Sequence, residues 1–163
     1  MTATEAGEHA LARELFAVQA RAGFDQIRRD LEWLPVIGFF CHACAGLDDT
    51  EFAPVLYDLL AANPARAIGV GPLAGWWAPA DYHLGALCRV MGRFDEAELR
   101  LRSALTTTEH LGARPWQART QIELARVIEI AHGSADTTIT ALRESAASIA
   151  ADLGAAGIAA LLR

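Results

Sequence analysis

The sequence predicts an all-α fold built from helix hairpins, on three observations. Apolar residues recur at three- and four-residue spacing from Ala6 to the C-terminus, with almost no strand-like alternation. Glycines stand where these periodic runs stop, at Gly23, Gly92, Gly112 and Gly133. The run from Asp81 to Leu105 reads as two helices around one turn. Leu84, Gly85 and Cys88 share a face, Gly92 and Phe94 make the turn, and Ala97, Leu101 and Ala104 line the returning helix. Small residues fall where two helices must approach closely.

That spacing of small and large residues is the spacing of a tetratricopeptide-type hairpin, so the predicted architecture is tetratricopeptide-like hairpins stacked in a short right-handed solenoid. The economical organisation is a single domain over 1–163, because 163 residues that are 53% hydrophobic can bury a substantial core. A first amphipathic helix runs from about Thr4 to Ala22 with Leu11, Leu15 and Val18 on one stripe, and its mate begins near Leu31. The next pair is Trp33 to Gly46 and Asp49 to Ala62, with Asp49 or Thr50 capping the return. Ala53, Leu56, Tyr57 and Leu60 then face Ile37, Phe40, Cys41 and Cys44. Asn63-Pro64 stops the helix, since the residue before proline is pushed out of the α region.

An irregular Gly/Pro/Trp connector follows at about 64–79. Its Gly69-Val70-Gly71 lacks the third glycine, the preceding strand and the acidic ribose partner of a dinucleotide loop, so it reads as a turn. Beyond the central hairpin the helix from Phe94 continues to about Leu111. Pro115 opens another that runs through Gln121 to Ala131. After the turn Gly133 to Asp136, Thr137 to Leu153 carries Ile139, Leu142, Ala146 and Ile149 on one stripe. The last helix, Ala155 to Leu162, is almost entirely apolar and needs a cover: the neighbouring pair, a homodimer contact through this C-terminal helix, or a further extension of the chain.

Charge and cysteine content narrow the function classes. The chain has no lysine, a net charge of −6 and a pI near 5.3, and its one adjacent basic pair is Arg28-Arg29. A sequence-independent grip on DNA or RNA needs a basic face, so direct nucleic-acid binding is not expected. Glu5, Glu8 and Glu14 interrupt the N-terminal apolar stretch, unlike a secretory signal, and Leu34 to Leu47 is too short to span a bilayer. A cytoplasmic protein with no membrane contact is the expectation. Cys41-His42-Ala43-Cys44 is the only metal- or redox-like spacing, yet both thiols share a face with Ile37, Phe40 and Leu47, and Cys88 occupies a similar place. They are read as core thiols, with no metal and no cofactor; zinc would require Cys88 or a histidine to converge on the pair.

The chain resembles the C-terminal tetratricopeptide-like segment of actinobacterial regulators of the LuxR or MalT type and of ATPases associated with adenylate cyclase domains. The resemblance rests on Gly23-Phe24 with Arg29-Asp30 and Trp33-Leu34, on the loop Ile68 to Asp81, on Leu84-Gly85, on Gly92 to Glu98, and on Leu111 to Trp116. It covers most of residues 23 to 116. It implies an effector or protein-contact module, with the ATPase and the DNA-reading helix-turn-helix of such regulators lying in other segments. Neither output is expected here, since a phosphate loop ending in lysine requires a lysine and no basic recognition helix is present. Thr137 and Thr138 depart from the pattern, which has alanine there.

Candidate ligand- or partner-binding residues are Trp76, Trp77, Tyr82, His83 and Trp116, because aromatic faces with one polar handle suit a hydrophobic peptide anchor or a flat, apolar small molecule. The alternative role for these rings is solenoid core and loop cover. His83 and Asp81 are the residues that acid–base catalysis would draw on, with Glu123 or Glu129. No spacing demands it, and Asp81 and His83 point to different sides of a helix, so no catalytic residue is assigned. His42 reads as a core histidine, and His110 and His132 as helix C-terminal cations. The leading expectation is a non-enzymatic binding module for a protein or peptide partner. The alternative is a small-molecule binding protein or enzyme with an aromatic-lined pocket around Trp76, Trp77, His83 and Trp116.

Overall fold

Eight α-helices account for most of the described residues, as the periodicity predicts. The computed structural model describes residues 9–62, 67–69 and 76–163. The chain divides into two compact units, Met1–Gly92 and Arg93–Arg163, and each is treated by itself. The predicted hairpin Asp81 to Leu105 spans both units, so its two helices are described separately. The predicted helix start at Thr4, the Asn63-Pro64 stop and the Val70-Gly71 part of the turn lie outside the described residues.

In the first unit, α1 (His9–Ala22) leads through a short 3-10 turn at Phe24–Gln26 to α2 (Trp33–Leu47) and α3 (Ala53–Ala61). The predicted stripe of α1 exists but faces solvent: Leu11, Leu15 and Val18 are 44%, 60% and 66% exposed, whereas Ala12, Phe16 and Ala20 are buried. The two stripes lie roughly 130° apart on the helix. Aromatic packing decides which turns inward. Phe16 meets Phe24, Phe40 and Phe52 at centroid distances of 6.3, 6.2 and 5.9 Å, and Phe24 in turn meets Phe40 and Phe52. One phenylalanine entering that cluster buries more apolar area than a leucine and gains edge-to-face contacts as well.

The pairing of α2 with α3 follows the predicted faces, with Ile37, Cys41, Cys44, Ala53, Leu56 and Leu60 all without solvent exposure. Asp48 takes a left-handed conformation, and the Asp49 carboxylate accepts from the amides of Glu51 and Phe52 at 3.0 and 3.1 Å. Asp49 thus closes a turn ahead of the helix rather than capping it as expected: α3 begins later, at Ala53, with Phe52 at its N-cap making no side-chain cap bond and Pro54 in its first turn. The fourth helix of this unit, α4 (Ala80–Val90), contacts both α2 and α3. Its Arg89 donates to the Ala45 carbonyl at 3.0 Å and to Asp48 at 2.7 Å, placing a cation on the C-terminal end of α2.

The connector is not wholly irregular. Residues Ala67–Gly69 form β1 and Trp76–Pro79 form β2, paired antiparallel. Three- and four-residue strands are too short to show alternation, which is why periodicity predicted only a connector. Ile68 and Ala78 face each other in the ladder and are fully buried. The register runs Ala67 to Pro79, Ile68 to Ala78, then Gly69 to Trp76, so Trp77 is the extra residue of a bulge.

In the second unit, α5 (Phe94–His110), α6 (Arg114–His132) and α7 (Thr137–Asp152) pack in sequence, α6 lying against both neighbours. Ala97, Leu101 and Ala104 on α5 are fully buried, as their spacing predicts. Gly112 has φ +63° and Pro115 sits in the first turn of α6, the stop and start read from the sequence. Asp136 caps α7 by accepting from the Thr138 amide at 2.8 Å, and hydrogen bonds from the Thr138 side chain first and its amide second hold the carboxyl below the usual carboxylate range. Buried Thr108 and Thr120 donate to carbonyls of their own helices, at Leu105 and Trp116. The apolar last helix, α8 (Ala156–Ala160), lies on α6 and α7, where Ile158 joins Ala118, Ile122, Ala146, Ile149 and Ala150. Leu161 stays 37% exposed. No helix among the described residues is long and apolar enough to cross a membrane.

Candidate functional site

The bulge in β2 determines where the Trp77 ring goes. An extra residue re-aims its side chain relative to the ladder, and here the ring lies along α2 over Gly38. A Cβ at Gly38 would stand 2.6 Å from Trp77 Cζ3 and 3.0 Å from Ile68 Cδ1, so only glycine admits the indole at this approach. One turn of helix also presents Phe39 and His42 to the same ring, at centroid distances of 4.2 and 6.2 Å. Phe39 is 43% exposed, and Trp77 and His42 are half-buried. The result is a half-exposed aromatic ledge on the first unit.

Behind the ledge stands His83 from α4. Its ring stacks on Trp77 at 4.7 Å with 27° between planes and meets Tyr82 edge-on at 5.1 Å and His42 edge-on at 5.9 Å. His83 is fully buried and Tyr82 nearly so. Burial, and secondly the nearby His42, hold the His83 imidazole well below its ordinary pKa, so it is neutral at pH 7. A neutral imidazole sealed behind an indole is suited to fixing that indole's orientation rather than to exchanging protons with a substrate.

Of the residues singled out in the sequence, the structure therefore brings Trp77, Tyr82 and His83 together. Trp76 is placed by its backbone opposite Gly69, and its side chain lies outside the described residues. Asp81 is half-buried in the first turn of α4, where a carboxylate suits the helix dipole. Trp116 belongs to the second unit, half-buried at the start of α6 with the Arg119 guanidinium 5.5 Å from its ring centre. Gly38, Phe39 and His42 were not among the sequence candidates. The signal that could have found them is a glycine inside an apolar helix followed at one and four residues by ring-bearing side chains, a groove for a bulky partner.

The thiols take no visible part. Cys41, Cys44 and Cys88 are fully buried, and none is in a disulfide. Burial pushes the Cys41 thiol well up, and burial with Asp49 and Asp48 nearby pushes Cys44 up to about 12. Thiols held protonated in this way are poor ligands and poor nucleophiles. No group of three or more His, Cys, Asp or Glu side chains that could hold a metal occurs among the described residues.

The Gly38 contact yields a test of the ledge. Gly38→Ala is expected to push the indole off α2 at an overpacking cost of about 1–3 kcal/mol, offset by up to about 1 kcal/mol of helix propensity. A lower melting temperature with a changed near-ultraviolet dichroism of tryptophan is the expected result. An unchanged aromatic signal with raised stability would show that the indole does not sit where the bulge directs it. No family model, curated protein or solved structure matches the chain.

Proposed function

We propose that the chain is a non-enzymatic, tetratricopeptide-like binding module, and that the ledge of Phe39, His42 and Trp77 receives an apolar side chain of a protein or peptide partner. The observation that carries this reading is the Phe39–Trp77 contact at 4.2 Å, held by a backbone bulge and stacked on a buried histidine while still open to solvent. Core aromatics bury themselves, and a built ledge that leaves one ring half out is the form of an interface anchor. The resemblance to regulator segments that act as protein-contact modules points the same way. So does the burial of His83, the candidate acid–base group, which removes it from any reacting partner. The reading is of a cytoplasmic protein, in keeping with three cysteines none of which is in a disulfide.

Replacing Phe39 by a photo-crosslinking phenylalanine analogue in cells, with the same analogue at exposed Leu99 as control, tests this directly. One dominant polypeptide adduct at position 39, absent at 99 and lost when Trp77→Ser is added to a chain that still folds, is the expected result. Identical adducts at both positions would reject the ledge as a contact. A small-molecule adduct in place of a polypeptide would transfer the reading to a ligand site.

A further inference from the structure

We infer that α1 is a self-association surface, on which a second copy of this chain packs its own α1 antiparallel to the first. The solvent-facing stripe is Leu11, Leu15 and Val18, continued by exposed Ala22, a spacing of four, three and four residues. That is the seam spacing of a two-helix contact, and it is symmetric about its midpoint. Turning one copy end for end sets Leu11 beside Ala22 of the second copy, and Leu15 beside its Val18. The stripe is separate from the ledge at Phe39 and Trp77 and does not rest on the function proposed for it.

Charge decides both the occupant and the direction. Glu14 and Arg21 are exposed and lie seven residues apart on the same edge of the stripe. In an antiparallel pair, residues on that edge of one helix meet the same edge of the other. Glu14 of each copy then approaches Arg21 of the other, twice by symmetry. A parallel pair would instead bring these positions to the opposite edge, beside Ala12 and Gln19, and leave both charges unmatched. An unrelated partner would have no reason to match a seam that matches itself.

The surface is modest. A 14-residue helix is about 21 Å long, so two of them bury much less than the roughly 1,600 Å² of a standard stable interface. The pairing is therefore a weak one, with a dissociation constant on the order of micromolar to hundreds of micromolar, and it responds to local concentration and to salt.

Sedimentation equilibrium of the full chain across that concentration range tests the inference. The native chain is expected to dimerise reversibly, and Leu15→Glu to stay monomeric with unchanged helicity, since Leu15 is on the solvent side. Glu14→Arg and Arg21→Glu should each weaken self-association by about tenfold, because each sets like charges against each other twice. An equimolar mixture of those two variants restores both opposite-charge pairs and should associate as well as the native chain, as should the double variant. A native chain that stays monomeric throughout overturns the inference. So does a dimer indifferent to Leu15→Glu, which would use another face such as the one bearing Leu161, or a mixture that fails to recover association.

Discussion

The first unit is expected to lose stability steadily as the pH is lowered from 7.5 to 5, through His83. In the unfolded chain this imidazole takes a proton near pH 6.5, its ordinary value. In the folded chain it is sealed between Trp77 and Tyr82, with His42 facing it from α2, and burial followed by His42 keeps it neutral far below that pH. The unfolded state thus binds the extra proton, so stability falls as pH drops below about 6.5 and is fully present above it. Each further pH unit costs about 1.4 kcal/mol until the folded-state value is reached. Asp136 also favours the folded state in its ionised form, but its window lies below the ordinary aspartate pKa of about 4 and does not overlap. Urea unfolding at pH 7.5, 6 and 5, for the native chain and for His83→Phe, separates the effect: the variant keeps a ring against Trp77 and loses the proton site. Parallel pH profiles for the two proteins would refute the assignment. A flatter profile for the variant is the expected outcome.

How much of this was legible in the sequence depends on the length scale of each signal. Helices of eleven or more residues declare themselves by period, and the faces Ala97, Leu101, Ala104 and Ile139, Ala146, Ile149 are buried as read, with Leu142 of the second stripe half-buried. Turn chemistry was equally readable at Gly92 and Gly112, where the backbone takes positive φ. The ribbon of β1 and β2 was not, because three or four residues cannot display a period of two, and a bulge breaks even that. Without the ribbon, Trp77 could be named as a candidate but not aimed, and its neighbours Gly38, Phe39 and His42 had no reason to be singled out. The stripe of α1 failed for a different reason. Periodicity finds an apolar face but does not rank two of them, and the choice between Leu11, Leu15, Val18 and Ala12, Phe16, Ala20 was made by rings contributed from elsewhere in the chain.

That choice yields the largest single effect to be expected. Phe24→Ala should destabilise the first unit by about 3–5 kcal/mol, the usual cost of emptying a buried phenylalanine site. Phe24 is 3% exposed and stands 5.4 Å from Phe40, 6.2 Å from Phe52 and 6.3 Å from Phe16, so its removal opens a cavity at the point where α1 meets the rest of its unit. The other buried side chains of α1, Ala12 and Ala20, are too small to hold the helix in place once Phe16 loses its neighbour. Hydrogen exchange should therefore show α1 amides losing protection in the variant before those of α2 and α3. Leu15→Ala is the matched control. If the stripe of leucines carried the packing, this truncation would cost 2–5 kcal/mol; on the solvent side it costs about 0.5 kcal/mol or less. Equal losses in the two variants, or a larger one for Leu15→Ala, would return the leucine stripe to the core. A large loss for Phe24→Ala alone fixes the aromatic face as the one that holds α1, and leaves Leu11, Leu15 and Val18 available to another copy of the chain.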